Sequence, residues 1–483
     1  MLFNSIDFAL FLPIVFLFYW FVFNKSIRLQ NLLIVLASYI FYGWWDWRFL
    51  FLIVVSTLTD FIIGKSLNKT NSNFNRKWLL IISIVINIGI LGFFKYFNFF
   101  YENFAAAFTF FGLSIKENTL NIILPVGISF YTFQTLSYTI DVYRKKLEPT
   151  NDFIAFSAYV SFFPQLVAGP IERAVNLLPQ FKKSRKFNVD SAKEGLRQIL
   201  WGFFKKVVIA DNCAEFSNLI FSNPNDYSGS TLVIGVIFFA FQIYGDFSGY
   251  SDIAIGTAKL FGFNLMRNFA FPYFSRDIAE FWRRWHISLS TWFRDYLYIP
   301  LGGSKGGNWM KIRNTIIIFV VSGFWHGANW TFIVWGFLNA IYFLPLMLTN
   351  RNRLNLEVPA KHSIFPSFKE FSQIILTFSL TLLAWVFFRS ESLPHAFNFL
   401  AGIFSYSFFT IPDFAGIGRT IPIIFLVIFM VLVEWVNREK GFALSNIGMN
   451  WKTIYRWSFY SFIVFLIGMY MQTEETPFIY FQF

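Results

Sequence analysis

Cysteine occurs once in 483 residues, at Cys213, which excludes an intramolecular disulfide and leaves a cysteine-based metal cluster without ligands. It reads as a packing residue. Charge is scarce too: 14% of residues are Asp, Glu, Lys or Arg, against about a quarter in soluble domains. The signatures H-E-x-x-H, G-x-S-x-G, the P-loop and G-x-G-x-x-G are all missing, so zinc protease, serine hydrolase and nucleotide-loop chemistries have no support. No segment repeats at a fixed interval, which argues against an inverted-repeat transporter.

What fills the chain is apolar sequence, 56% hydrophobic with a mean hydropathy of +0.51. Many runs approach the roughly 20 residues that a helix needs to cross a bilayer, from Asp7 to Phe23 through to Ile454 to Gln472. The expected fold is an all-α, polytopic integral membrane protein, one domain over 1–483. The first run has no basic residue before it and no small-residue cleavage site after it, so it is expected to be retained rather than removed as a signal peptide. The 70 Phe residues are spread through every segment and reflect lipid contact rather than a binding platform.

The net charge of +13 could suggest nucleic acid, but Lys and Arg sit mainly in short loops between apolar runs, as the positive-inside rule requires. No nucleic-acid partner is expected. With Lys25, Arg28, Lys65, Lys69, Arg76, Lys77, Arg144 to Lys146 and Lys182 to Lys186 in the cytoplasm, both termini fall outside. Further spans are expected near Gly195 to Phe221, Leu232 to Gly256, Ile312 to Trp330, Phe332 to Thr349, Ile374 to Phe388 and Pro422 to Val436, about eleven or twelve in all. Two stretches do not read as simple spans. Phe153 to Pro170 is apolar between basic cytoplasmic loops, and Phe281 to Pro300 carries Arg283, Arg284, His286, Arg294 and Asp295. A lipid-facing helix could not hold those charges cheaply, so the second is expected to be re-entrant or buried.

Four histidines are present. His362 lies in a polar loop and His395 follows Pro394 at a helix start, where solvated or capping roles suffice. His326 ends an apolar run in Gly323-Phe324-Trp325-His326-Gly327, and a titratable group at membrane depth is a functional candidate. The alternative is a neutral ring satisfied by Asn329 or a backbone carbonyl. The flanking glycines allow close backbone approach, room for a ligand or a helix break, or simply small-residue packing. His286 sits among Arg283, Arg284 and three tryptophans, which suits phosphate binding or an interfacial helix equally. Asp246 and Asp252 are six residues apart, on different helix faces. They are expected to hydrogen-bond other buried groups with Ser248 and Ser251 rather than to act as a carboxylate dyad.

Five blocks in order carry a resemblance: Leu124-Pro125-Val126-Gly127-Ile128-Ser129-Phe130, Ala168-Gly169-Pro170-Ile171-Glu172-Arg173, Tyr244-Gly245-Asp246-Phe247-Ser248-Gly249-Tyr250-Ser251-Asp252, the segment around His286, and Gly323-Phe324-Trp325-His326-Gly327. Over nearly its whole length the sequence resembles the bacterial branch of the membrane-bound O-acyltransferase (MBOAT) family, above all its alginate O-acetylation members. The resemblance implies a ring of tilted and re-entrant helices around a central tunnel, with His326 catalytic and His286 the second polar catalytic group. It further implies an acyl thioester such as acetyl-CoA as donor, no metal, and a location in the inner membrane. The acyl group would pass outward to an exopolysaccharide, with delivery completed by a separate extracytoplasmic transferase of the SGNH type. D-alanyl transfer to teichoic acid, acylation of peptidoglycan or a lipid, and a flippase of lipid-linked sugars are the alternatives. Arg283, Arg284 and Lys305 are expected to face the cytoplasm and bind donor phosphates. The terminal Phe478-Ile479-Tyr480-Phe481-Gln482-Phe483 is either an interfacial aromatic anchor or, more sharply, carries Tyr480 as a phenolic acyl relay.

Overall fold

The computed structural model describes residues 1–110, 120–167, 169–472 and 478–479, and among these every regular element is helical. The chain divides into two compact units, Met1–Ala192 with Thr257–Met266, and Lys193–Gly256 with Arg267–Phe483.

In the first unit α1 (Ile6–Leu17) starts on Ser5, whose hydroxyl accepts the Phe8 amide, and continues into a π-helical turn, Phe18–Val22. The helices α2 (Ile27–Asp46) and α3 (Leu50–Lys69) are separated at Asp46, where the carboxylate accepts the Arg48 amide at 3.0 Å. Then come α4 (Asn73–Leu91), α5 (Phe97–Phe110) and the almost wholly buried α6 (Ile128–Tyr143). A buried carboxylate joins three of them: Asp60 of α3 accepts from Ser83 and from Asn87 of α4, the latter at 2.8 Å, and from Thr139 of α6 at 2.7 Å. In a unit this apolar, such a satisfied polar knot fixes which helices are neighbours. The stretch expected not to be a simple span consists of α7 (Phe153–Ser161) and α8 (Phe163–Leu166), both buried and together too short for an ordinary crossing. Before α9 (Ala174–Phe181), Glu172 is buried and accepts the Met266 amide; burial pushes its carboxyl up to about 7, against the pull of that bond.

The second unit runs through α10 (Val189–Phe203), a π-helical turn at Phe204–Ala210, α11 (Asp211–Ser222) and the long α12 (Gly229–Leu260). Two seven-residue helices follow, α13 (Ile278–Arg284) and α14 (Ile287–Phe293). The charged stretch from Phe281 to Pro300 is therefore not one continuous helix, and neither piece is long enough to cross a bilayer. The rest is α15 (Gly307–His326), α16 (Trp330–Leu348), α17 (Phe368–Arg389), α18 (Leu393–Ile403), α19 (Ile417–Val436) and α20 (Thr453–Tyr470).

Among the described residues six helical runs are long and apolar enough to cross a membrane: Ile27–Lys69, Asn73–Phe110, Gly229–Leu260, Trp330–Leu348, Phe368–Arg389 and Ile417–Val436. Ile6–Val22 and Phe153–Leu166 are apolar but shorter. The segments expected near 195–221, 312–330 and 454–472 are also helical, but are diluted by polar residues such as Lys205, Lys206, Arg313 and Arg456.

The glycines beside His326 serve close packing. A Cβ on Gly323 would lie 2.2 Å from the Phe332 carbonyl oxygen, one on Gly336 would lie 2.3 Å from that of Phe319, and one on Gly327 would meet the Phe332 ring at 2.1 Å. Gly327 also ends α15 in extended backbone. The room for a ligand that these glycines allow in sequence is taken up by α16. Gly323→Leu should therefore overpack this contact and cost about 1–3 kcal/mol. A thermal-melting comparison in detergent should show a lowered midpoint for Gly323→Leu and none for Gly418→Ala, since nothing lies within 4 Å of a Cβ at Gly418.

Candidate active site

Charge inside the second unit is arranged around the π-helical turn. Lys206 Nζ lies 2.8 Å from both Asp211 Oδ1 and Asp246 Oδ1, and Lys205 Nζ lies 2.6 Å from Asp252 Oδ2. Gln198 donates to the other Asp252 oxygen at 2.8 Å, and Tyr244 donates to the buried Glu434 at 2.8 Å. Each carboxylate on α12 thus has its own lysine, in keeping with the expectation that Asp246 and Asp252 are no dyad. The second oxygen of Asp246 accepts the Ile479 amide at 2.6 Å. Phe478 packs against Tyr250 and Phe247, with ring centroids 4.7 and 5.6 Å away, and both Phe478 and Ile479 are buried. An anchor in the membrane interface is therefore not what these two residues form: they lie inside the protein. Tyr480 lies outside the described residues.

His286 links α13 to α14 in a left-handed conformation, φ 42° and ψ 56°, which non-glycine residues adopt at a cost and which clusters at functional sites. Neighbouring bonds hold it there. Asn268 accepts the Ile287 amide on its backbone carbonyl at 2.9 Å, and the Ser288 amide and hydroxyl on its side-chain oxygen at 3.3 and 2.9 Å. Because an amide N–H can only donate, the Asn268 atom facing Ser288 is Oδ1. The same atom lies 3.1 Å from His286 Nδ1, which must carry the proton. In the neutral ring Nε2 is then an acceptor, and it is buried with no hydrogen-bond partner among the described residues. Burial lowers the imidazole to about 3, in a turn outside the spanning helices, so the ring is neutral near pH 7. Asn268 in turn donates to Ser251 Oγ of α12 at 3.1 Å.

His326 is the last residue of α15 and is buried. Its ring lies 4.9 Å from Trp325, 5.2 Å from Trp335 and 5.3 Å from Phe388, and Trp325 is 6.3 Å from His286. One tryptophan thus touches both histidines, and the structure brings together the two residues singled out from sequence. Trp385 stacks on Trp335, and its Nε1, like Ser248 Oγ, is buried without a hydrogen-bond partner among the described residues. The Nε2 of His286, partnerless among the described residues, with Trp385 stacked on a ring that also packs against His326, suits a site that a polar ligand completes.

The basic residues near His286 are differently employed. Arg284 is buried, pairs with Glu280 at 2.7 Å and donates to the Ala270 carbonyl. Arg283 is exposed and donates to the carbonyls of Asn352 and Asn355 at 2.6 and 2.7 Å, while Lys305 is exposed. His362 is exposed, and His395 bonds the Phe221 carbonyl at 2.8 Å behind the cap residue Ser392. Sequence reasoning missed Asn268, which has no charge to mark it. It also passed over Lys205 and Lys206, whose position inside an apolar run was a visible signal.

The sequence model of the membrane-bound O-acyltransferase family matches residues 148–386. The probable alginate O-acetylase AlgI of Azotobacter vinelandii is 40% identical over 416 residues, covering 86% of this chain and 80% of that protein. The peptidoglycan O-acetyltransferase of Helicobacter pylori is 37% identical over 434 residues, covering 83% and 80%. The teichoic acid D-alanyltransferase of Bacillus subtilis is 28% identical over 232 residues, covering 46% and 58%.

Lys206→Met leaves two buried carboxylates facing each other and should destabilise the protein by about 3–5 kcal/mol. Adding Asp211→Asn and Asp246→Asn should restore most of it, as read from yield and thermal midpoint after extraction.

Proposed function

The chain belongs to the membrane-bound O-acyltransferase family, as a multi-pass membrane protein and an O-acyltransferase, and from that premise we propose that it acylates an exported polysaccharide from a cytoplasmic thioester. The acyl group is acetyl, the donor acetyl-CoA, the membrane the inner membrane, and the acceptor an alginate-like exopolysaccharide reached through an extracytoplasmic SGNH-type partner. The similarity to an alginate O-acetylase over four fifths of both chains supports this acceptor. Peptidoglycan is the second candidate, supported by the Helicobacter pylori relative. D-alanyl transfer has weaker support, because those relatives match less than half of the chain.

The observation that carries the reading is the pair of buried histidines packed on one tryptophan. His326 takes the proton of an attacking hydroxyl, whose oxygen bonds to the thioester carbonyl. The C–S bond breaks, and the leaving sulfur takes that proton from His326, which releases the thiol and returns the imidazole to its neutral state. Polarising the carbonyl would need an N–H on His286 Nε2, which its bond to Asn268 denies to the neutral ring. His286 therefore acts by orienting the donor, its ring held by Asn268 and packed near Trp325. Arg283, Arg284 and Lys305 favour the donor phosphates, the first two also by holding the loop around Asn352 to Glu357.

Asp246 holds the chain one residue before Tyr480, beside Phe247, whose ring is 4.6 Å from His286. This supports Tyr480 as the first acceptor: its phenol oxygen takes the acyl group, and the phenyl ester, a good leaving group, passes it to the outer hydroxyl. Such a relay spares a polysaccharide from reaching a buried histidine.

His326→Ala should lower the O-acetyl content of the exported polysaccharide by about two to four orders of magnitude at unchanged membrane levels. Normal acetylation at normal expression would remove His326 from the mechanism. Tyr480→Phe keeps the ring and deletes the hydroxyl; the relay requires that it, too, abolishes acetylation, and wild-type acetyl content would leave the tail a packing element only.

A further inference from the structure

The first unit contains a cleft of about 500 Å³ at the end of the first apolar helix, remote in sequence from the histidines. Its apolar walls are Phe16, Trp20, Phe21 and Phe187. Phe187 meets Phe16 and Trp20 edge-on, with ring centroids 5.8 and 5.4 Å apart, and Trp20 is fixed by its bond to the Leu260 carbonyl at 2.9 Å. Its polar end carries Lys25, Arg185 and Lys186. Among the described residues no carboxylate lines this cleft or pairs with any of the three cations.

Arg185 is set rigidly. It donates to Asn31 Oδ1 at 2.7 Å and to Gln30 Oε1 at 3.3 Å, and lies 4.8 Å over the Phe263 ring. The two lysines are exposed and are free to close on an anion. A fixed guanidinium flanked by two mobile ammonium groups is a phosphate-binding arrangement.

What else the ligand must offer follows from the other wall. Leu17, Phe18, Phe21 and Val22, on the last turns of this helix, are all exposed, Phe21 by 72%. They lie within eight residues of Lys25, so one ligand spanning the cleft meets a cationic end and an apolar flank. A soluble nucleotide or free phosphate would use the first and leave the second uncovered. A glycerophospholipid uses both, with its phosphate on the cations and its acyl chains along the exposed rings, and basic clefts between membrane helices are suited to such headgroups. The size of the cleft falls in the range of about 300–1,000 Å³ usual for small-ligand sites.

We propose that this cleft binds an anionic phospholipid of the leaflet that faces the basic loops, through Lys25, Arg185 and Lys186. The site stands apart from acyl transfer and does not depend on the reading given for it. The test uses the full-length protein purified in detergent and offered equimolar dioleoyl phosphatidylglycerol and dioleoyl phosphatidylcholine, with bound lipid counted by native mass spectrometry. Phosphatidylglycerol should be retained in preference. Lys25→Gln with Lys186→Gln should reduce that preference by roughly thirtyfold, from about fivefold per lysine near the surface, while Lys25→Arg with Lys186→Arg keeps it. Should the double glutamine variant fail to accumulate, Lys186→Gln alone gives the same comparison at a smaller effect. Equal retention of the two lipids by the wild-type protein, or an undiminished preference in the glutamine variants, would overturn the proposal. So would displacement of the lipid by millimolar coenzyme A, which would make this a site for a soluble phosphate.

Discussion

A lysine held between two aspartates inside an apolar unit is the interaction on which the site depends. Lys206 reaches Asp211 at the start of α11 and Asp246 in the middle of α12, so the π-helical turn, α11 and α12 meet at one buried charge. Removing one partner of a buried charge cluster leaves the others uncompensated, which couples the three groups to one another. Asp246 then has one oxygen left, and that oxygen takes the Ile479 amide. A charge cluster that looks like a device for helix packing thereby also holds Phe478 and Ile479, the former against the aromatic residue that touches His286.

Polar atoms in this protein have few possible partners, so the histidines are defined by what little surrounds them. His286 is forced into a left-handed turn, has one nitrogen committed to Asn268 and keeps the other, an acceptor, buried without a hydrogen-bond partner among the described residues. His326 ends its helix among Trp325, Trp335 and Phe388. A ring environment of this kind excludes water, and water is the competitor that would hydrolyse a thioester or a phenyl ester before transfer.

Much of this could be read from the sequence, for identifiable reasons. Apolar runs near 20 residues give helices such as α16, α17 and α19 because a helix satisfies its backbone groups within one segment of that length. His326 and His286 stand out because titratable groups are rare there, and Arg283, Arg284 and Asp295 mark a stretch that proves to be two short helices and not a span. Other features carry no such mark. The Gly323 and Gly327 pattern is the same for a cavity and for close packing, and only the position of Phe332 decides for packing. Asn268 is an ordinary polar residue until Ser288 and His286 converge on its oxygen from 20 and 18 residues away. Phe478 and Ile479 look like an interfacial anchor because their partners are far away in the chain: Asp246, which accepts the Ile479 amide, lies 233 residues from it.

The central claim is that this site spends a thioester to move an acyl group, through residues that converge around Trp325. It is tested most directly in sealed proteoliposomes with acetyl-CoA labelled in its acetyl group and supplied on one side only. The account predicts release of free coenzyme A on that side together with label on the C-terminal peptide containing Tyr480, both absent when His286 and His326 are replaced together. Movement of a lipid-linked sugar across the membrane with no coenzyme A released would contradict it.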